Sequence, residues 1–384
     1  MFKVGEVLLK IIHFGQKNCI SREGGVEVFV YEVAKRQVNL GNDVTCINRK
    51  THHIGGKQYD QKRIEEFDGI KIKYAPTIDK KGLAALTSSF FASISAAFSK
   101  CDIVHIHAEG PGFFSFIPKI FKKKVVCHIH GIDWKRDKWS NSFASKFIKQ
   151  GEKNIVKFAN EIIVLSKNMQ RYFKDEYNIE TTLIENGVTG YGAINANIIY
   201  KKFGLKKDEY ILYLSRLVPE KKADLLIDVY NSLDINKKLV IAGSSSDSDD
   251  YYKLLLSKAK NNENIIFTGF VEGDLLKELY SNSYIYVLPS ELEGMPLTLL
   301  EAMSYGNYCI VSDIPELTEV MGDYGLSFKR NDFNDLRSKI DYTIKNNDKI
   351  ISAKNDIKNY VLDRYNWDTT TNKIMELYKK VLNG

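Results

Sequence analysis

Four short loops hold the residues whose types and spacing could do chemistry. In the first, Glu293-Gly294-Met295-Pro296-Leu297 follows the apolar run YIYVLPS and opens a helical stretch that carries Glu301. Gly294 frees the turn and Pro296 suits a first helical turn, so the amides from Gly294 to Leu297 would face a bound group from a helix N-terminus. Glu301 lies eight residues after Glu293, about 2.2 turns on, so both carboxylates project to one side and could accept from several hydroxyls of one polyol. Helix-mouth carboxylates are also ordinary capping chemistry, and Glu293 alone would be a weak sign. The second loop follows the run YILYLS with Arg216 and Lys221 five residues apart. Such a pair can clamp a diphosphate, Arg by its fork and Lys as a point charge, or can simply form solvated surface ion pairs.

The third loop, SREGGVE, places Gly24 and Gly25 where a strand passes into a helix. It suits a phosphate or sugar laid against backbone amides, and equally a plain tight turn; it contains neither G-x-G-x-x-G nor G-K-[ST]. The fourth is rich in histidine: His105 and His107 on one strand, His128 and His130 on another, then Gly131, Asp133 and Trp134. Residues i and i+2 of a strand share a face, which invites a metal. No Glu or Cys ligand joins them at a metal spacing, and core histidines fit the pattern better. His130 stands apart because Gly131 ends the strand there, so His130 and Asp133 suit a ligand at the strand mouth.

The elements that position these loops alternate along nearly the whole chain, apolar runs of five to eight residues with stretches of helical period, which reads as parallel-sheet α/β. Strands are expected at Val7–Phe14, Asp43–Asn48, Ile70–Tyr74, Ile103–His107, Val125–Ile129, Ile162–Leu165 and Thr182–Ile184, with helices between, among them Leu83–Phe98 and Gly112–Phe121. Glu185–Asn197 breaks the pattern as a linker. The alternation restarts at Tyr210–Leu214 and ends in helices, the last beginning at Trp367. The reading is two doubly wound domains, residues 1–190 and 191–365, facing across a cleft, with a terminal helix at 366–384. Ligands in such sheets sit beyond the carboxyl ends of the strands, where all four loops fall.

The chain has 384 residues and a formal charge of +7. Residues 1–190 hold 30 basic and 20 acidic groups, net +10, and the remaining 25 and 28 give −3. One half therefore suits an anionic partner, or its lysines fall unevenly without consequence. Five scattered cysteines without a C-x-x-C pair give no disulfide framework or zinc knuckle. With no signal sequence and no run near the ~20 apolar residues of a membrane span, the expectation is a cytoplasmic protein, free or peripheral on the membrane. Two segments could meet a bilayer: Phe113–Lys124, aromatic then lysine-rich, and Leu83–Phe98, although core packing would explain the aromatics of the former equally well. No recognition motif or aromatic-basic stripe supports nucleic acid.

Together the loops resemble the retaining nucleotide-sugar glycosyltransferases of family 4, over nearly the whole chain. EGMPLTLLE (293–301) matches the family's E-x7-E, SRLVPEK (215–221) its G-R-L-x-x-E-K-G, and EGGVE and ENGV two further motifs. HGIDWKRDKW (130–139) is similar to a subset that builds bacterial surface polysaccharides. The resemblance implies the GT-B fold, with Arg216 and Lys221 on the donor diphosphate and Glu301 on the ribose. It puts Glu293 and the amides of Gly294, Met295, Pro296 and Leu297 at the donor sugar, where only proline offers no N–H. Gly24 and Gly25 would lie against phosphate or acceptor, His130 at the donor sugar near the reacting carbon, and Asp133 with Trp134 at the acceptor. Ser215 and Lys222 replace glycines of the pattern, and Glu185 replaces a proline, which touches fine geometry rather than charged contacts.

What the resemblance implies about function is transfer with retention from a nucleoside diphosphate sugar, most often UDP-linked, to a polyprenyl-diphosphate-linked or other glycan acceptor of the O-antigen, capsule or exopolysaccharide type. Arg216, Lys221 and the helix dipole would replace a metal ion in stabilising the leaving diphosphate. Asp247-Ser248-Asp249 has the form of a D-x-D metal motif, which this fold type does not need. Rivals on the same fold are a nucleotide-sugar epimerase, a phosphorylase and an inactive partner subunit; intact Arg216, Lys221, Glu293 and Glu301 argue against the last.

Overall fold

A computed structural model describes residues 8–60, 62–80, 82–132, 134, 143–245 and 249–384. The chain forms two compact units, one of Met1–Asn186 with Trp367–Gly384 and one of Gly187–Asn366.

The first unit is built on an eight-stranded sheet: β1 (Lys10–Phe14), β2 (Asp43–Arg49), β3 (Glu66–Phe67), β4 (Ile70–Ala75), β5 (Ile103–His107), β6 (Lys124–Ile129), β7 (Glu161–Val164) and β8 (Thr182–Leu183), in the order β3-β4-β2-β1-β5-β6-β7-β8. All pairs are parallel except the hairpin of β3 with β4. The central strands are buried along most of their length, as apolar runs covered by helices on both faces must be. The register sets His13 beside His105 and His107 beside His128. With the period of two, His13, His105, His107, His128 and His130 therefore share one face of three adjacent strands. Gly15 ends β1 with φ 118°, and a Cβ there would come within 2.1 Å of the His107 carbonyl oxygen, so only glycine allows the two strand ends to approach.

The helix expected over Gly112–Phe121 is instead two short pieces, Glu109–Gly112 and Phe116–Ile120, because Pro111 and Pro118 each suit a helix start and not an interior. The last helix, Trp367–Asn383, lies against Gly25–Asn39 of the same unit, with an Arg36–Asp368 ion pair at 2.7 Å and Tyr378 fully buried.

The second unit has six parallel strands, β9 (Tyr210–Leu214), β10 (Lys238–Ala242), β11 (Ile265–Gly269), β12 (Ile285–Leu288), β13 (Tyr308–Ser312) and β14 (Gly325–Phe328), in the order β11-β10-β9-β12-β13-β14. The strand order reverses between β9 and β12, which makes their carboxyl ends the topological switch point. Gly243, just past β10, has φ 138° and a built Cβ would lie 1.9 Å from the Ser215 carbonyl oxygen, so the β10 and β9 loops meet there only through glycine. Among the described residues, no helix is long and apolar enough to cross a membrane.

Candidate active site

In the second unit the loops after β9 and β12 leave adjacent strands at the switch point and are tied together, the Glu291 amide donating to the Glu220 carbonyl at 2.9 Å. This brings Lys221 and Glu293 into direct contact as an ion pair, each side chain 9% exposed. Lys221 also donates to the Leu292 carbonyl at 3.4 Å. At this depth the pair is costly to desolvate and stays favourable only because both charges are matched. Arg216 stands half-buried at the start of the same loop. Pro296, expected inside the first helical turn, is instead the residue before it, and the helix spans Leu297–Ser304 with no side chain capping its front. Gly294 is half-buried and Met295 and Leu297 are buried beside that opening. Glu301, on the helix, accepts from the Tyr280 hydroxyl at 3.1 Å. The structure thus joins Lys221 and Glu293 directly, and holds Glu301 through Tyr280, whose one hydroxyl proton is shared between Glu301 and the Thr298 carbonyl, 3.3 Å away.

In the first unit Gly24 precedes the helix Gly25–Asn39 in extended backbone, again without a side-chain cap. Ser166 and Asp332 cap the helices they precede, whereas the fronts at Gly24 and Pro296 have no side-chain cap, as is also true of several other helices of the chain. A Cβ at Gly24 would meet only the Glu27 carboxylate, at 3.0 Å. Glu27 is buried and accepts from the Lys17 amide at 2.8 Å, and desolvation raises its carboxyl above the usual range. Glu23 pairs with Lys17 at 3.2 Å and accepts from the Ile54 amide at 3.2 Å. The acidic residues of EGGVE therefore brace neighbouring loops, and the glycines between them leave the helix front open.

The five histidines form one stack under Phe29, whose ring meets His128 at 4.5 Å and His130 at 5.0 Å. His13, His105, His107 and His128 are fully buried, and His130 is half-buried at the mouth of β6. Burial holds the His13 ring down to about 4 and the His130 ring to about 3, and depresses the other three well below the usual range, so all five are neutral at physiological pH. Ring nitrogens of His13, His105 and His107, and of His107, His128 and His130, gather within 4.8 Å of one another. Two of these contacts are hydrogen bonds between rings, His13 to His107 at 3.0 Å and His107 to His130 at 3.1 Å.

Asp133 and Asp247 lie outside the described residues. Trp134 turns its indole N–H to Glu152 at 3.1 Å, with the Lys149 ammonium 4.4 Å from its ring centroid. Glu152 is fully buried and also accepts from the hydroxyls of Tyr172 and Tyr177. The polar edge of Trp134 is thus engaged inside its own unit. Sequence reasoning missed His13, a member of the stack, and Gln37 and Tyr378, which hydrogen-bond to it at His13 and His105. A buried Gln on an otherwise apolar helix face was the available signal for Gln37.

Two family models match the chain: glycosyl transferases group 1 over residues 196–364 and glycosyltransferase family 4 over residues 23–189. An uncharacterized glycosyltransferase of Methanocaldococcus jannaschii is 25% identical over 379 residues, 93% of this chain and 94% of its own length. The O-antigen chain mannosyltransferase B of Escherichia coli is 27% identical over 187 residues, 47% of this chain and 48% of that one. The O-antigen chain mannosyltransferase RfbU of Salmonella typhimurium is 26% identical over 264 residues, 65% and 72% of the two chains. Among solved structures, sucrose-phosphate synthase from Thermosynechococcus elongatus superposes with a TM-score of 0.82 at 18% identity, covering 97% of this chain and 99% of that one. Anabaena HepE, in complex with UDP and glucose, gives 0.79 at 17% identity over 97% and 100%.

Proposed function

The chain is a glycosyltransferase of the GT-B fold, and we propose that it is a retaining family 4 enzyme of bacterial surface-polysaccharide synthesis. In this reading a sugar passes from a nucleoside diphosphate donor, UDP-linked in the first instance, to a lipid-linked glycan. The observation that carries it is the Lys221–Glu293 pair at the switch point of the second unit, beside an uncapped helix front. An incoming diphosphate offers Lys221 a second anion, Arg216 supplies a fork for the phosphate oxygens, and the amides at the helix front add positive dipole. Glu293, relieved of part of its partner's charge, can accept from sugar hydroxyls, and Glu301 from the ribose. His130 contributes a ring nitrogen to a sugar hydroxyl, and Gly24 and Gly25 leave amides open to a phosphate or the acceptor.

The negative charge that grows on the leaving diphosphate is met by Arg216 and Lys221 in place of a metal ion. The O-antigen mannosyltransferases support the surface-glycan assignment, and HepE with UDP and glucose supports a nucleotide-sugar donor. Calorimetric screening of UDP-, GDP- and dTDP-sugars, then turnover with an isolated lipid-linked acceptor, tests the reading. Arg216→Ala should lower kcat/KM by at least 100-fold, Glu293→Gln by about 10-fold or more, and EDTA should leave turnover unchanged. Wild-type turnover by Glu293→Gln, or no binding of any nucleotide sugar, would remove the site assignment. Donor consumption without acceptor would point to an epimerase instead.

The protein is proposed to act at the cytoplasmic membrane face. Phe113, Phe114 and Phe116, one candidate for a bilayer surface, turn to Phe147, Phe90 and Phe158 within the unit and are packing residues. Among the exposed apolar side chains of these segments, Phe98, at 71%, and Ile120, at 70%, stand out most, and Phe98 meets exposed Phe121 at 4.6 Å beside exposed Lys100 and Lys122. That pairing of apolar and basic groups suits an anionic bilayer. Vesicles containing anionic lipid should retain the protein at low salt and release it at high salt, and Phe98→Ser with Ile120→Ser should weaken retention several-fold.

A further inference from the structure

Gln37, His13, His107 and His130 form one unbroken line of hydrogen bonds through the core of the first unit. Gln37 Oε1 meets His13 Nε2 at 2.8 Å, His13 Nδ1 meets His107 Nε2 at 3.0 Å, and His107 Nδ1 meets His130 Nε2 at 3.1 Å. A neutral imidazole carries one N–H and one lone pair, so every junction must set a donor against an acceptor. The rings are neutral, because burial depresses all three. Only two arrangements then satisfy the whole line. If Gln37 turns its carbonyl to His13, all three rings hold their proton on Nε2, and His130 Nδ1 is a bare lone pair. If Gln37 turned its amide there, all three protons would move to Nδ1, and His130 would end as a donor. A mixed line would put two lone pairs or two N–H groups face to face in the buried interior, at a cost of about 1–3 kcal/mol.

The orientation of Gln37 selects between the two. It is fully buried on the helix Gly25–Asn39, with its oxygen at His13 and its nitrogen 3.5 Å from the Tyr378 hydroxyl. Tyr378 can accept from that amide because its own proton can go to His105 Nδ1, 2.5 Å away. We propose that Gln37, through His13 and His107, is a positioning residue that fixes His130 as the Nε2–H tautomer and so presents Nδ1 to the substrate as an acceptor only. This rests on the reading that His130 meets a sugar hydroxyl. It narrows the substrate class: at that point the sugar must offer a hydrogen, from a hydroxyl or an amide N–H, and a uronic acid carboxylate is excluded because it would face a lone pair.

The test is nitrogen NMR of the full chain labelled at histidine, with rings assigned by single substitutions. His13, His107 and His130 should each show the proton on Nε2. The Nδ1–H form at any of the three in the wild type overturns the proposal. Gln37→Leu removes the acceptor and should give His130 a mixture of tautomers, with kcat/KM for the donor falling about 10-fold; Gln37→Glu keeps an acceptor and should restore both. An unchanged His130 tautomer in folded Gln37→Leu also overturns it. If the wild type shows the Nε2 pattern but His130→Ala transfers sugar at full rate, the relay stands and the sugar contact assigned to His130 falls.

Discussion

Lys222 has φ 52° and ψ 37°, a left-handed conformation that costs a side chain of L configuration about 1–2 kcal/mol. It occupies the position where the glycosyltransferase motif carries glycine, so the departure visible in the sequence has a backbone cost in the fold. The cost is local, because among the described residues the Lys222 ammonium pairs with Asp224 alone, at 3.8 Å. Lys222→Gly should therefore stabilise the protein by about 0.5–1 kcal/mol after the extra chain entropy of glycine is subtracted, read as a higher urea midpoint. A buried polar group is the second such debit. Neither ring nitrogen of His128 has a hydrogen-bond partner among the described residues, although the residue has no exposed surface. An unsatisfied buried polar group costs about 1–3 kcal/mol, so His128→Leu should raise Tm by a few degrees even though it creates some empty volume. A lower Tm would mean that the ring nitrogens are satisfied by water or an ion in solution.

Elements show where local reading succeeds and where it stops. The strands flanking both loops of the second unit were legible because YILYL and IYVL are apolar runs of strand length, rich in β-branched and aromatic residues, as buried strands are. SRLVPEK and the E-x7-E stretch were legible because each is one continuous stretch of chain, a loop and the helical residues next to it. β14, GLSF, was missed because Gly325 and Ser327 dilute its apolar run and its outer side has no neighbouring strand. The line from Gln37 to His130 was not legible at all: strand order and register bring its members together across 94 residues between His13 and His107. Glu278 makes the same point for stability. Its carboxylate accepts from the amides of Asn197, Ile198 and Ile199 at 3.0, 2.6 and 3.0 Å, holding the front of the helix Ile198–Phe203 from about 80 residues away. Hydrogen bonds to a charged acceptor contribute about 1.5–3 kcal/mol each, with strong non-additivity. Glu278→Ala should cost about 3 kcal/mol and Glu278→Gln about half of that, measured by chemical denaturation.

The folded chain as a whole stores an unusual proton imbalance, since five of its seven histidines lie in one neutral stack, four fully buried and His130 half-buried at its end. In the unfolded chain each takes up a proton below its ordinary value near 6.5. In the folded chain His13 waits until about 4, His130 until about 3, and His105, His107 and His128 are likewise held well below 6.5. Folded values lower than unfolded ones mean that the stack's contribution is complete above pH 6.5 and is lost as pH falls from 6.5 towards 4. Each proton taken up only by the unfolded chain costs ~1.4 kcal/mol per pH unit, so five approach ~7 kcal/mol per unit once all are protonated. Against a typical total of about 5–15 kcal/mol that is enough to unfold the protein. Glu27, with its raised carboxyl, acts in the opposite direction but is one group against five. Asp60, Asp68 and Asp335, held below their usual range, act in the same direction but in a lower window, below about 3.8. Unfolding is therefore expected between about pH 5.5 and 4, before most carboxylates titrate. Urea unfolding measured in steps from pH 7.5 to 4.5 should show stability falling with a slope that steepens towards the equivalent of several protons. In His128→Leu the slope should be shallower by about one proton. A flat profile from pH 7 to 5 would mean that the stack is already open to solvent or charged.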